Sequence, residues 1–180
     1  EAAAATGGFP ADAPAKRIGL ISGKVGLENV KDADLIIEAV FETMAIKKEV
    51  FTALDKYAKP GAVLASNTSY LNIDEIAKVT NRPQDVLGMH FFSPANVMKL
   101  CEIVRADKTA PDALATAVAV ARKIAKVPAV VGVCDGFVGN RMLAQPGKQA
   151  EKLLFEGALP PPVDAVLPKI RIPLGPVAMG

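Results

Sequence analysis

The chain has 180 residues, 51% apolar and 22% charged, with a formal net charge of +2. This length can bury a core for one domain or somewhat more. The small charge is spread along the chain, so we expect neither nucleic acid nor a membrane surface as a partner. Cys101 and Cys134 lie far apart and only one histidine is present, which argues against a metal site. No apolar stretch has membrane-spanning length, and the start lacks the pattern of a signal peptide.

After a lead-in over 1–31 that is rich in glycine and proline and partly loop, strand-like and helix-like patterns alternate. The predicted strands are DADLIIEAV (32–40), AVLASN (62–67), DVLGMHFF (85–92), KLCEIVRA (99–106) and PAVVGVC (128–134). The predicted helices are MAIKKEVFTALDKYA (44–58), IDEIAKVT (73–80), opened by a cap at Asn72, and APDALATAVAVARKIAKV (110–127). This alternation predicts an α/β fold, a mostly parallel sheet with helices on both faces.

Polar residues follow three of these strands. They are Glu42, the cluster Ser66–Ser69, and His90 with Ser93. In open α/β sheets, ligands bind beyond the carboxyl ends of the strands, so three polar groups at one edge favour a binding site there. Each group by itself could instead be a helix cap or a turn.

The character of the sequence changes after Cys134, and Asp135–Gly136 is the predicted domain boundary. Residues 136–180 have a helical pattern interrupted by prolines, and KIRIPL (169–174) is their one strand-like run. We expect this part to be the start of an all-α C-terminal domain, cut short before it encloses a core. Gln145-Pro146-Gly147 predicts a kink, because proline disrupts a helix interior.

Glycine-rich phosphate loops are not encoded in this sequence. GLISGKVG resembles a P-loop, but Gly19 and Gly23 are too close together and Val25 follows Lys24 where Ser or Thr is needed. The chain also has no GxGxxG motif.

His90 is the single histidine of the chain, and Glu102 lies in the next predicted strand. A histidine of this kind can be a core residue that hydrogen-bonds a backbone carbonyl. It can also be a general base oriented by a carboxylate, because imidazole exchanges protons near neutral pH. The second arrangement requires the strands of His90 and Glu102 to be neighbours.

Four segments occur in the order and at the spacing of the 3-hydroxyacyl-CoA dehydrogenases of fatty-acid β-oxidation, which the chain resembles. They are LIIEAVFETMAIKKEVF, ASNTSYL, GMHFFSPANVMKLCEIVR and DGFVGNR. HFFSP and EAVFE are most similar to the dehydrogenase part of multifunctional enzymes that also carry an enoyl-CoA hydratase domain.

The resemblance implies NAD-dependent oxidation of L-3-hydroxyacyl-CoA to 3-ketoacyl-CoA. It implies a Rossmann-like domain over 32–135 that lacks its first βαβ unit, so that the chain is an internal fragment of a longer protein. An acyl-CoA substrate and a dimer or a larger multidomain chain are then expected. The compartment would be the bacterial cytoplasm, or the peroxisome or mitochondrial matrix of a eukaryote, and not the secretory route.

The same resemblance implies roles for individual residues. His90 matches the catalytic base and Glu102 its carboxylate partner, whereas Ser69 and Asn140 match residues that contact the reacting hydroxyl group. The implied cofactor-binding residues are Glu42, Lys47, Ser69 and Ser93, the last beside the nicotinamide where many relatives have asparagine.

Three alternatives stay open from the sequence. The chain could belong to another Rossmann-type dehydrogenase that acts on a small hydroxy acid. It could also be a truncated binding or scaffold module of a β-oxidation complex, without turnover. Lys47 could be a solvated charge on an amphipathic helix rather than a ligand-binding residue.

Overall fold

The computed structural model describes residues 13–169 and 175–178, and in them it contains one five-stranded sheet. The five predicted strands are confirmed, each somewhat shorter than its apolar run. They are β1 (Leu35–Glu38), β2 (Val63–Ser66), β3 (Val86–Phe91), β4 (Leu100–Arg105) and β5 (Val127–Gly132), in that order across the sheet.

Seven α-helices lie in the described residues. They are α1 (Ala13–Ile18), α2 (Met44–Tyr57), α3 (Ile73–Ala77), α4 (Pro111–Lys123), α5 (Gly139–Phe155), α6 (Pro160–Asp164) and α7 (Val166–Lys169), with 3-10 turns at Leu27–Val30 and Pro83–Asp85. The predicted cap of α3 is confirmed, because Asn72 Oδ1 accepts hydrogen bonds from the backbone N–H groups of Asp74 (2.8 Å) and Glu75 (3.3 Å).

The sheet is mostly parallel, as expected, with one antiparallel pair. Strands β1, β2 and β3 are parallel to one another, and β4 is parallel to β5, but β3 and β4 run in opposite directions. The physical reason is the short connection 92–99, since a parallel crossover needs roughly a dozen residues or more.

Helices cover both faces of the sheet, as the alternating pattern predicts. On one face, Phe51 of α2 and Ile73 of α3 pack against Leu64 of β2 in one buried cluster. On the other face, α4 packs through Ala113, Ala117 and Ala121, which share one stripe of the helix. These small side chains let the helix approach strands β2, β3 and β4 closely. Their cluster includes Cys101, where burial raises the thiol pKa to about 11, so this cysteine is an inert core residue.

Helix α5 contains the segment for which a kink is predicted. The helix continues from Gly139 to Phe155 with Pro146 inside it, and a kink at this proline stays a prediction. Proline cannot donate the backbone hydrogen bond of its turn, but the flanking turns hold the helix together. A separate all-α C-terminal domain beginning at 136 stays a prediction.

The predicted lead-in contains α1 and the 3-10 turn Leu27–Val30 within its described part, and residues 1–12 lie outside the described residues. The strand-like run KIRIPL also lies outside them, except for Lys169 at the end of α7. The described residues include no helix long and apolar enough to cross a membrane.

Candidate active site

The first three strands bring their carboxyl ends to one edge of the sheet. Glu38 at the end of β1 is in register with Ser66 at the end of β2, and Ser66 is in register with Gly88 of β3. Three parts of the chain therefore meet at this edge, where the sequence predicts a site. They are the segment after Glu38, the segment after Ser66, and the end of β3 with His90.

His90 and Glu102 occupy directly opposite positions of the antiparallel β3–β4 pair. His90 Nδ1 lies 2.8 Å from Glu102 Oε2, and the two residues are only 4% and 1% exposed. A carboxylate can only accept here, so Nδ1 carries the hydrogen of this bond, and in the neutral form of the ring Nε2 then has the free lone pair. The geometry favours the base held by a carboxylate over a histidine bound to a backbone carbonyl.

The second oxygen of Glu102 is bound at the start of α5. Oε1 accepts hydrogen bonds from the backbone N–H groups of Val138 (3.0 Å) and Gly139 (2.8 Å). These N–H groups have no partner inside the helix, and the helix dipole favours a negative charge at this end. An added Cβ at Gly139 would lie 2.5 Å from Phe92 Cζ, so any larger residue here would displace that ring. The carboxylate is thereby fixed in position.

Two phenylalanines enclose the imidazole. The ring centroids of Phe92 and Phe137 lie 4.4 Å and 5.8 Å from that of His90. Phe137 is fully buried and has a φ of 45°, in the left-handed region that non-glycine residues rarely adopt. Together with Gly136, at a φ of 66°, it turns the chain from β5 into α5. The sequence analysis did not identify either phenylalanine as a site residue. The only local indication is that Phe92 is part of the HFF run and Phe137 is part of the DGF run.

Glu42 contacts the turn that contains Ser69. Glu42 Oε1 accepts hydrogen bonds from Thr68 Oγ1 (2.5 Å) and from the backbone N–H groups of Ser69 (2.8 Å) and Tyr70 (3.3 Å). Burial tends to raise the pKa of the Glu42 carboxyl, but these hydrogen bonds and the charge of Lys47 outweigh it and hold the pKa below its ordinary value of 4.5. The Glu42 side chain stays 40% exposed, so its predicted role in cofactor binding stays a prediction.

Lys47 is not a solvated charge, and that alternative is wrong. Its side chain is 0% exposed, with Nζ 2.8 Å from Glu38 Oε1 and 3.5 Å from Glu42 Oε2. A buried ammonium group needs such partners, because burying an unpaired charge is very costly. The direct ligand contact implied for Lys47 stays a prediction.

The polar cluster after β2 contains residues that hold the turn to the neighbouring strands and one serine, Ser69, that is partly accessible. Ser66 Oγ donates to buried Glu38 (2.7 Å), and Asn67 Oδ1 accepts from the backbone N–H of Phe91 (3.0 Å), which connects the turn to the end of β3. Ser69 is only partly buried. Its contact with a substrate stays a prediction.

Asn140 lies in the first turn of α5, directly after Gly139, whose backbone N–H donates to Glu102 Oε1. It lines a cavity of about 320 Å³ together with Tyr70, the neighbour of Ser69. Neither Ser69 nor His90 lines this cavity, so a common site for Ser69 and Asn140 stays a prediction. Ser93 is exposed in the connection after β3. The described residues include no group of histidine, cysteine, aspartate and glutamate that could hold a metal ion.

Comparison with known proteins identifies one family. Residues 1–134 match the family model described as the NAD-binding domain of 3-hydroxyacyl-CoA dehydrogenase. This match covers the sheet and the His90–Glu102 pair.

Individual relatives agree with this match. The chain is 48% identical over 158 residues to the peroxisomal bifunctional enzyme of Danio rerio, covering 88% of this chain and 22% of that protein. It is 40% identical over 164 residues to the fatty acid oxidation complex subunit alpha of Shewanella amazonensis, covering 91% and 23%. The chain therefore spans roughly a fifth of the length of these curated relatives.

The fold of this chain is also similar to that of a solved dehydrogenase structure. The crystal structure of the (S)-3-hydroxybutyryl-CoA dehydrogenase PaaH1 of Ralstonia eutropha has a TM-score of 0.94 and 31% sequence identity, covering 98% of this chain and 63% of that one. The predicted Rossmann-like sheet is thereby confirmed.

Proposed function

This chain belongs to the family of 3-hydroxyacyl-CoA dehydrogenases through its NAD-binding domain, and we propose that it contributes the catalytic base of an enzyme that oxidises L-3-hydroxyacyl-CoA to 3-ketoacyl-CoA. The observation that carries the proposal is the buried His90–Glu102 pair, with Nδ1 and Oε2 2.8 Å apart. An alcohol oxidation needs a base for the hydroxyl proton while hydride leaves the same carbon.

In this proposal His90 Nε2 accepts the proton of the substrate hydroxyl. The electron pair of the broken O–H bond then forms the carbonyl as hydride leaves the same carbon. When bound, NAD supplies the hydride acceptor. Glu102 holds the ring through Nδ1 and stabilises the imidazolium that forms, as the carboxylate of a serine-protease triad does. The phenylalanines around the ring exclude water, which strengthens this interaction.

Ser69 and Asn140 hydrogen-bond the substrate oxygen in this scheme. What supports the assignment is that Asn140 lines a cavity together with Tyr70, the residue next to Ser69. A hydroxyl and an amide N–H can donate to the oxygen of the product carbonyl and also orient the alcohol before reaction.

Dinucleotide cofactors bind at the carboxyl edge of such a sheet, and the connection after β3 offers the exposed hydroxyl of Ser93 there. The glycine-rich turn for the pyrophosphate is not in the sequence. The assignment of Lys47, Ser69 and Ser93 to cofactor binding is part of this proposal, whereas the hydrogen bonds that Glu42 accepts from the backbone of the Ser69 turn favour a different role for Glu42.

We further propose that the chain works within a multidomain protein of the peroxisomal bifunctional type. Its identity to the Danio rerio protein of that name is 48%, against 40% to the bacterial subunit alpha. An acyl-CoA thioester as substrate, a peroxisomal location and a dimeric or larger assembly belong to this proposal.

The test is an NADH-formation assay on the full-length protein with L-3-hydroxybutyryl-CoA. Wild-type protein should form NADH, and His90→Ala should be slower by about 10²–10⁴-fold, the usual contribution of a general base. The D isomer and NADP are the controls, and both should react poorly. Turnover of only the D isomer, or equal rates with both cofactors, would exclude this assignment and favour another hydroxy-acid dehydrogenase. A protein without any turnover would favour a scaffold module.

A further inference from the structure

We infer that Glu42 is a positioning residue. It holds the turn that contains Ser69 in place, and it is itself held by Lys47, which also binds Glu38. The inference rests on the proposed contact of Ser69 with the substrate oxygen. It differs from a direct role of Glu42 in cofactor binding, because it assigns the carboxylate to the protein's own backbone.

The first observation is the density of donors around one oxygen. Glu42 Oε1 faces the hydroxyl of Thr68 and the backbone N–H groups of Ser69 and Tyr70. Thr68 is fully buried, and its Oγ1 also accepts the backbone N–H of Leu71 (2.9 Å). Three donors leave Oε1 little capacity for a ligand, and they hold the whole turn 68–71 in one conformation.

The second observation is what lies behind Glu42. Lys47 Nζ connects Glu42 Oε2 to Glu38 Oε1, at 3.5 Å and 2.8 Å. Glu38 is itself only 5% exposed and accepts hydrogen bonds from Ser66 Oγ (2.7 Å) and the backbone N–H of Val40 (2.6 Å). One buried ammonium thus joins two carboxylates, that of buried Glu38 and that of partly exposed Glu42, and each of these charged groups has an ion-pair partner.

Together with the backbone, these contacts form a closed ring that includes the turn with Ser69. The backbone runs from Ser66 at the end of β2 into the turn, and the side chains return from the turn through Glu42, Lys47 and Glu38 to Ser66. The position of Ser69 relative to the sheet is therefore determined by the network. The depressed pKa of Glu42 agrees with this, since the turn binds the charged form preferentially.

Positioning predicts a loss in turnover without a loss in cofactor affinity. In the full-length protein, Glu42→Ala should lower kcat by about 10–100-fold, because small misplacements of a contact residue cost this much. The dissociation constant for NADH, measured by nicotinamide fluorescence, should change less than about twofold. Thr68→Val, which removes one donor and preserves the shape of the side chain, should lower kcat in the same direction by less.

A double-mutant cycle separates this role from an independent one. If Glu42 acts through Ser69, Glu42→Ala in a Ser69→Ala background should cause almost no further loss. Glu75→Ala is the matched control, because Glu75 joins the neighbouring Lys48 at 2.9 Å but is solvent-exposed. This control should keep both kcat and NADH affinity.

Two outcomes would overturn the inference. One is weaker NADH binding by Glu42→Ala with kcat unchanged, which would make Glu42 a cofactor ligand. The other is multiplication of the two losses in the double mutant.

Amide hydrogen exchange of Ser69 and Tyr70 does not depend on the reaction: Glu42→Ala should accelerate it and Glu75→Ala should not. If wild-type protein lacks dehydrogenase activity, the proposed function fails, and unchanged exchange in Glu42→Ala would separately refute the positioning role.

Discussion

His90 and Glu102 are cross-strand partners in register, and the carboxylate that holds the imidazole is itself held by the first N–H groups of α5. The pair therefore depends on three elements, β3, β4 and the start of α5. Because both side chains are buried, a change in either one leaves the other without its partner.

Glu102→Gln should lower kcat of the full-length protein by about 10²–10⁴-fold, since the amide loses the charge that stabilises the imidazolium. If its oxygen accepts from His90, its NH2 group also faces the N–H donors of Val138 and Gly139. KM for the acyl-CoA should change less, because Glu102 contacts the protein and not the substrate in this proposal. His90→Ala should cost as much or more, and the double mutant should be barely slower than His90→Ala. Wild-type kcat in Glu102→Gln would show that the pair is only structural.

Gly88→Ala should destabilise the fold by about 1–3 kcal/mol, the usual cost of overpacking a core. Gly88 of β3 is in register with Val104, and an added Cβ would lie 2.8 Å from the Cβ of that valine. Urea denaturation of the purified variant measures the loss. Gly132→Ala in β5 is the control, because an added Cβ there meets no atom within 4 Å. Equal stability of the two variants would contradict the prediction.

The depressed pKa of Glu42 predicts a stability loss in acid. The folded pKa lies below the ordinary value of 4.5, so the stabilisation is fully present above the unfolded pKa. It is lost as pH falls through the lower folded pKa. Glu42→Gln should therefore be less stable than wild type at neutral pH, and the difference should shrink at acidic pH. Urea denaturation across this range is the measurement, with the exposed Glu151→Gln as control. A difference that is independent of pH would contradict this origin.

The 180-residue chain by itself should bind NADH weakly. The pyrophosphate of a dinucleotide normally binds at a helix N-terminus behind a glycine-rich turn, and the sequence has no GxGxxG motif. Titration followed by nicotinamide fluorescence tests this on the chain as printed. Tight binding, with a dissociation constant in the micromolar range or below, would show that the remaining residues suffice.

The sequence by itself determined the local elements and the residue types of the site. Short apolar runs specified the five strands, because the length and periodicity of apolar runs encode burial along one element. His90 and Glu102 could be selected as a pair for the same reason, since both lie in such runs and carry the chemistry that a base requires.

Only the tertiary structure decided which groups meet, because contacts between distant segments depend on register and on backbone direction. The antiparallel β3–β4 pairing placed His90 opposite Glu102, and a shift of one residue would have moved one side chain to the other face of the sheet. The N–H donors of Val138 and Gly139 carry no residue-specific signal in the sequence. The burial of Lys47 was equally hidden, because the carboxylates that neutralise it come from β1 and from the segment after it, brought together only by folding.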